Sequence, residues 1–207
     1  MNVLVIAPHP DDETIGCGGA VCLHAQKGDR VTAVFLTSGE LGLKKLPREE
    51  AWKIREAEAH RAGKILGLVE LHFLRQPDWT LAEHIVGAAE LLGPILRHQP
   101  PQLIYLPHQL EWHPDHQAAL PIVREAAKRS GIPAPQLRAY EVWTPLGKFD
   151  DVVDISAVMP RKLRALRAHR SQLAEFDYVQ AMRGLNQYRG ALAAKTRYAE
   201  VFQILEI

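Results

Sequence analysis

The stretch "VLVIAPHPDDETIGCGG", Val3 to Gly19, decides how this chain is read. A β-rich apolar run, Asn2 to Ala7, stops abruptly at Pro8-His9-Pro10. Three carboxylates follow, Asp11, Asp12 and Glu13. From about Thr14 to Gln26 the pattern turns helical, and Lys27-Gly28 ends it. A buried strand, a tight polar turn and a helix open a βα unit. The histidine and carboxylates then lie where the strand delivers its last residues.

The same alternation continues. Arg30 to Glu40 reads as a strand running into a loop, Pro47 to Leu66 as a long amphipathic helix, and Glu70 to Leu74 as a strand. Thr80 to His98 reads as a helix with a kink expected at Pro94. Gln102 to Leu106 is a fourth strand and His116 to Ser130 a helix. Ala139 to Thr144 and Asp151 to Ile155 read as late strands, and Ala157 to Leu173 with much of the tail as helical. The strands are continuous apolar runs, as a sheet covered on both faces requires. The expected fold is α/β and Rossmann-like, a mostly parallel sheet with helices on both faces, in one domain over residues 1–207.

Composition restricts the function. The 207 residues carry a net charge of +1 from 25 basic and 24 acidic side chains. That balance gives no pull toward nucleic acid or an anionic membrane. No apolar run approaches the roughly 20 residues that span a bilayer, and the start "MNVLVIAP" lacks the basic segment of a signal peptide. The two cysteines, Cys17 and Cys22, are too few for a disulfide framework. A cytoplasmic protein is expected.

In such sheets, ligands bind outside the carboxyl ends of the strands. "PHPDDE" lies at that edge after the first strand, and "PHQLEWHPDHQ", Pro107 to Gln117, lies there after the fourth. Either cluster alone is ordinary loop polarity. Together on one edge they make a site. His9 and Asp12 are three apart on one turn, and His116 can supply a third ligand. Two imidazoles and a carboxylate with an open position suit catalytic zinc, and also ferrous iron. Asp11 lies between ligands and is free to take a proton from a metal-bound water. His113 can donate to a developing oxyanion or protonate a leaving amine, and Asp115 can orient a histidine from behind. This set suits hydrolysis of an amide or ester. The run "GCGG" is not G-x-G-x-x-G, so a nucleotide site is not expected, and it lets the first helix pack close to its strand.

The paired motifs "PHPDDE" (Pro8 to Glu13) and "HPDH" (His113 to His116) resemble those of the PIG-L/LmbE family of zinc-dependent N-acetylglucosamine deacetylases. Ser38-Gly39-Glu40 with Gly42, the helix residues Arg55, Glu58, Ala62 and Leu66-Gly67, and the late Val153 to Ser156, Lys162, Ala165, His169, Ser171 and Gln172 extend the likeness along nearly the whole chain. The resemblance implies His9, Asp12 and His116 as metal ligands, Asp11 as general base, and His113, supported by Asp115, as stabiliser of the tetrahedral intermediate. It implies that Arg55 contacts substrate.

The C-terminal pattern is similar to the bacillithiol-pathway deacetylases, which implies N-acetylglucosaminyl malate as substrate. Diacetylchitobiose or another N-acyl amino sugar is the alternative, and a sugar-binding module without catalysis is the non-enzyme reading. Family members commonly form trimers or hexamers, so a homo-oligomer is expected. Specificity is expected in Leu41 to Leu46, Gln76 to Thr80 and Leu146 to Asp150, with Lys44, Lys45, Arg75 and Lys148 as candidate carboxylate contacts. A long C-terminal helix bearing Leu185, Leu192 and Val201 is expected to close the site or meet a neighbouring subunit.

Overall fold

The computed structural model describes residues 1–206. The first strand, β1 (Asn2–Ala7), shows why the sheet forms. Val3, Val5 and Ala7 pack into one apolar cluster, and Leu4 and Ile6 into another. Successive side chains of a strand point to opposite faces, so a strand apolar at every position must be covered twice. Helices α1 (Asp12–Gln26), α2 (Arg48–Leu66), α5 (Met159–Leu166), the short α6 (Arg170–Leu173) and α7 (Tyr178–Arg189) contribute to the first cluster. Helices α3 (Ile85–His98) and α4 (Pro114–Ser130) form the second. Each fully buried leucine or isoleucine in these layers stabilises the fold by roughly 1.5–3 kcal/mol.

The remaining strands are β2 (Arg30–Thr37), β3 (Glu70–Gln76), β4 (Leu103–Pro107), β5 (Gln136–Tyr140), β6 (Asp151–Asp154) and β7 (Ala199–Leu205). They form one seven-stranded sheet in the order β3-β2-β1-β4-β5-β7-β6. The first five of that order pair in parallel, and β7 runs antiparallel to both β5 and β6. The Rossmann-like, mostly parallel arrangement matches the expectation. No helix among the described residues is long and apolar enough to cross a membrane.

Three expectations need correction. The tail is not helical throughout: α7 ends at Arg189, and Ala199–Leu205 returns as β7 inside the sheet. Val201 is therefore a buried strand residue and not part of a C-terminal helix. The fifth strand is Gln136–Tyr140 instead of Ala139 to Thr144, because the backbone N–H groups of Val142, Trp143 and Thr144 leave the sheet to donate to the buried Glu111 carboxylate. Helix α3 runs on through the exposed Pro94, and the break in helical geometry falls instead at Cys17 in α1, at φ −136° and ψ 17°.

The glycines beside that break let α1 lie close to the sheet. A Cβ at Gly16 would meet the Tyr140 ring at 2.1 Å. The Tyr140 hydroxyl in turn donates to the Ile6 carbonyl at 2.8 Å, so the close approach is fixed from both sides.

Candidate metal centre and active site

Strands β1 and β4 are neighbours, yet the helices that follow them cover opposite faces of the sheet. Their loops diverge at this switch point and leave a crevice at the carboxyl edge. The two polar clusters line it, as the topology requires.

The loop after β1 is tied down residue by residue. The His9 N–H donates to Asp12 Oδ2 at 2.8 Å, and the Asp11 N–H to Glu13 Oε2 at 3.0 Å. Asp11 itself sits at φ 134°, a region that favours glycine, so the turn holds a strained residue in place. Its side chain lines the same cavity as His9, Asp12 and His113. Asp11 Oδ2 accepts from the Arg55 guanidinium at 3.3 Å, and the same guanidinium donates to the Pro10 and Gly39 carbonyls. Burial pushes the Asp11 carboxyl up to about 6, against the pull of Arg55.

Three donor atoms converge beside it. His9 Nδ1 lies 3.3 Å from Asp12 Oδ2, His116 Nε2 lies 3.3 Å from the same oxygen, and the two nitrogens are 3.3 Å apart. Donors about 2.0–2.1 Å from a tetrahedral ion stand roughly 3.3 Å from one another, so this triangle has the size of three metal ligands. His113 also brings a ring nitrogen within 4.8 Å of His9 and His116, and His9, Asp78 and Asp115 form a second such group. The equal short edges single out the set containing Asp12.

The electrostatics fit a cation there. Burial alone would lower the His116 pKa, but Asp12 outweighs it and raises the group to about 9. His9 is likewise raised despite its burial, by Asp115, Asp12 and Asp78. Asp12 is held far below the usual carboxylate range, its burial overcome by His116 and His9. The pocket thus attracts positive charge to the point where the three donors meet.

The His9 imidazole is also held from behind. His9 Nε2 lies 3.1 Å from Asp78 Oδ1 and 3.2 Å from Asp115 Oδ2. The Asp115 carboxylate additionally accepts the backbone N–H groups of Trp79 and Leu81. It serves His9 and not His113, a correction to the expected support of His113. What Asp115 gives His113 is its backbone N–H, which donates to His113 Nδ1 at 3.2 Å at the start of α4. That bond leaves the His113 proton on Nε2. Burial, with the charges of His9 and His116, lowers His113 to about 4, so its ring is neutral near pH 7.

A cavity of about 770 Å3 opens over this floor, lined by His9, Asp11, Asp12, Arg55, Asp78 and His113 among others. His116 and Asp115 are buried behind it. Of the expected specificity loops, Leu41 to Leu46 and the Asp78-Trp79 turn reach the cavity, and Leu146 to Asp150 does not. Lys44 and Lys45 line it, whereas Arg75 is occupied by a bidentate pair with Glu56 at 2.8 and 2.9 Å.

Residues 4–127 match the model of a family described as PIG-L, GlcNAc-PI de-N-acetylase. The chain belongs to the PIG-L family. It is 34% identical over 185 residues, 83% of each chain, to a probable N-acetyl-alpha-D-glucosaminyl L-malate deacetylase 2 of Bacillus cereus. Its fold is similar to a conserved protein of Thermus thermophilus, with a TM-score of 0.82, 31% identity and coverage of 97% and 93% of the two chains. It is also similar to the N,N'-diacetylchitobiose deacetylase from Pyrococcus horikoshii, with a TM-score of 0.85, 27% identity and coverage of 99% and 84%.

Several residues of this PIG-L site were not singled out by their sequence. Asp78 follows β3 at the same sheet edge as the recognised clusters, and that edge rule alone points to it. Glu111 is fully buried and accepts three backbone N–H groups, and its Oε2 lies 3.5 Å from His116 Nδ1. Burial would raise its carboxyl, but His108, His116 and the Val142 N–H bring it down to about 2. Glu13, also fully buried, accepts from the Thr14 hydroxyl and lies 3.5 Å from His169 Nε2. These side chains carry no metal-ligand spacing, and only the folded arrangement gives them partners.

Proposed function

We propose that this protein is a metal-dependent hydrolase that removes the N-acetyl group from an N-acetylglucosamine conjugate. The equal-sided triangle of His9, Asp12 and His116, with Asp11 and His113 lining the same cavity, carries the reading. Those three residues would hold the metal, zinc or ferrous iron, which when bound supplies a Lewis acid that makes a water acidic near neutral pH.

Asp11 is the general base. Its carboxylate lies on the cavity wall, anchored by Arg55, and takes a proton as water adds to the amide carbonyl. His113 presents Nε2–H to the oxygen on which negative charge develops. The proton held by Asp11 then passes to the departing nitrogen, the C–N bond breaks, and the free amine leaves with acetic acid, which gives its proton to solvent and becomes acetate. Asp115 contributes by holding His9 and the start of α4. Arg55 contacts substrate only at its cavity-facing edge, since three protein oxygens already occupy its guanidinium.

N-acetylglucosaminyl malate is the proposed substrate, in bacillithiol synthesis. The relative of that name and the two lysines on the cavity wall support it, because Lys44 and Lys45 suit a carboxylated aglycone. Diacetylchitobiose is the second reading, supported by the likeness to the Pyrococcus horikoshii enzyme. The test is acetate release by zinc-loaded protein from the malate conjugate, free N-acetylglucosamine and diacetylchitobiose. Preference for the malate conjugate supports the reading. Preference for chitobiose transfers it to amino-sugar breakdown, and no acetate from any of the three rejects it.

A further inference from the structure

Trp79 is a bulky residue in a conformation that favours glycine, at φ 72°. Such strain persists only where the surroundings impose it. Here Asp115 imposes it, accepting the Trp79 N–H at 2.7 Å with the carboxylate that also holds His9. The result is an indole that is not in the core. Trp79 is 47% exposed, lines the cavity, and lies 4.5 Å from the His113 ring.

Trp112 repeats the arrangement from the other loop. It is 55% exposed, lines the same cavity, and lies 5.4 Å from His113 and 6.2 Å from Trp79. The planes of the two indoles are tilted by 53°. The two indoles sit together beside one histidine with much of their apolar surface in water, surface that a bound ligand would cover.

We infer that Trp79 and Trp112 form a stacking platform for the pyranose ring that carries the scissile acetamide. This inference rests on the proposed deacetylation. In an N-acetyl amino sugar the amide nitrogen is bonded directly to a ring carbon. Once the carbonyl oxygen meets His113 Nε2, the sugar ring must lie within a few bonds of His113, which is where the two indoles stand. A pyranose offers a flat face of C–H groups that suits the electron-rich face of an indole. An open-chain N-acetyl amine offers no such face. The platform therefore selects cyclic N-acyl amino sugars over acyclic amides of the same composition.

The probes are methyl N-acetyl-α-D-glucosaminide, whose ring is closed, and N-acetylglucosaminitol, whose chain is open. Both are titrated by calorimetry into zinc-loaded protein, and acetate release is followed in parallel. Trp79→Ala and Trp112→Ala should each weaken the closed ring roughly 5- to 10-fold and leave the open chain unchanged. Trp79→Phe should restore most of the loss. Trp112 has no positive φ, so its variant reports on the platform even if Trp79→Ala folds poorly.

Equal losses for the two probes, no loss in either variant, or native protein that binds no closed ring overturns the platform. Ring-selective binding without acetate release keeps the platform and rejects the deacetylase reading. Acetate release unaffected by the tryptophan variants does the reverse.

Discussion

His9 Nδ1 and His116 Nε2 stand 3.3 Å apart although 107 positions separate the two residues in sequence. Two imidazole nitrogens at this distance cannot both carry protons toward each other. With Asp12 Oδ2 equally near both, the three atoms form the donor triangle proposed to hold the metal. The site follows from topology: adjacent parallel strands β1 and β4 end side by side, and the loops that follow them line one crevice at the sheet edge.

Removing a ligand should remove the metal. His116→Ala or Asp12→Ala is expected to lower metal affinity by more than about 100-fold, beyond what loss of a supporting residue does, while the chain stays folded. Metal analysis after dialysis, with circular dichroism as a check on folding, measures this. Full metal content in both variants would remove these residues from the ligand set.

Asp11→Asn should separate metal binding from turnover. The amide keeps the shape of the side chain and still accepts from Arg55, but it cannot take a proton. Metal content is expected to stay at the native level while kcat falls by roughly 10²- to 10⁴-fold. Native kcat in this variant would reject Asp11 as the base.

Asp115→Asn tests support from behind the site. The native carboxylate accepts from His9, Trp79 and Leu81, and an amide cannot serve all three equally. Metal affinity should fall about 10- to 100-fold with the three ligands intact. Competition against a chelator of known affinity gives the number. An unchanged affinity would leave Asp115 with a role in the Trp79 turn alone.

The parallel half of the fold was readable because its strands are unbroken apolar runs, a pattern set by burial on both faces. The antiparallel return was not. Ala199–Leu205 places Glu200 inside a strand, and a charge there disguises the pattern. Its partner, Lys162, lies 38 positions earlier on a different element, so nothing local reveals the pairing. The convergence of His9, Asp12 and His116 was legible because the three fall in two short motifs at strand ends. Asp78 was missed because β3 extends to Gln76, two residues past its expected end, which brings Asp78 to the mouth of the sheet. Glu111 and His108 were within the quoted cluster, but their partners are backbone groups of residues 142–144 that only the fold supplies.

The buried pair Lys162 and Glu200 sets the course of α1, and breaking it should be costly. The helix loses its geometry at Cys17, which leaves backbone groups unpaired on both sides of the break. Lys162 Nζ donates to the Ile15 carbonyl on one side at 2.8 Å. The Glu200 carboxylate accepts the Gly19 and Ala20 N–H groups on the other, at 2.7 and 2.8 Å. The two charges meet at 2.7 Å with almost no exposure. Lys162→Met strands an uncompensated carboxylate, and Glu200→Gln strands an ammonium, so each single variant should lose about 3–5 kcal/mol of stability. The double variant removes both charges and should lose less than the sum of the two, by more than about 0.5 kcal/mol. Urea unfolding of the four proteins gives the cycle. Additive losses would mean that the two residues act on α1 independently and not as a pair.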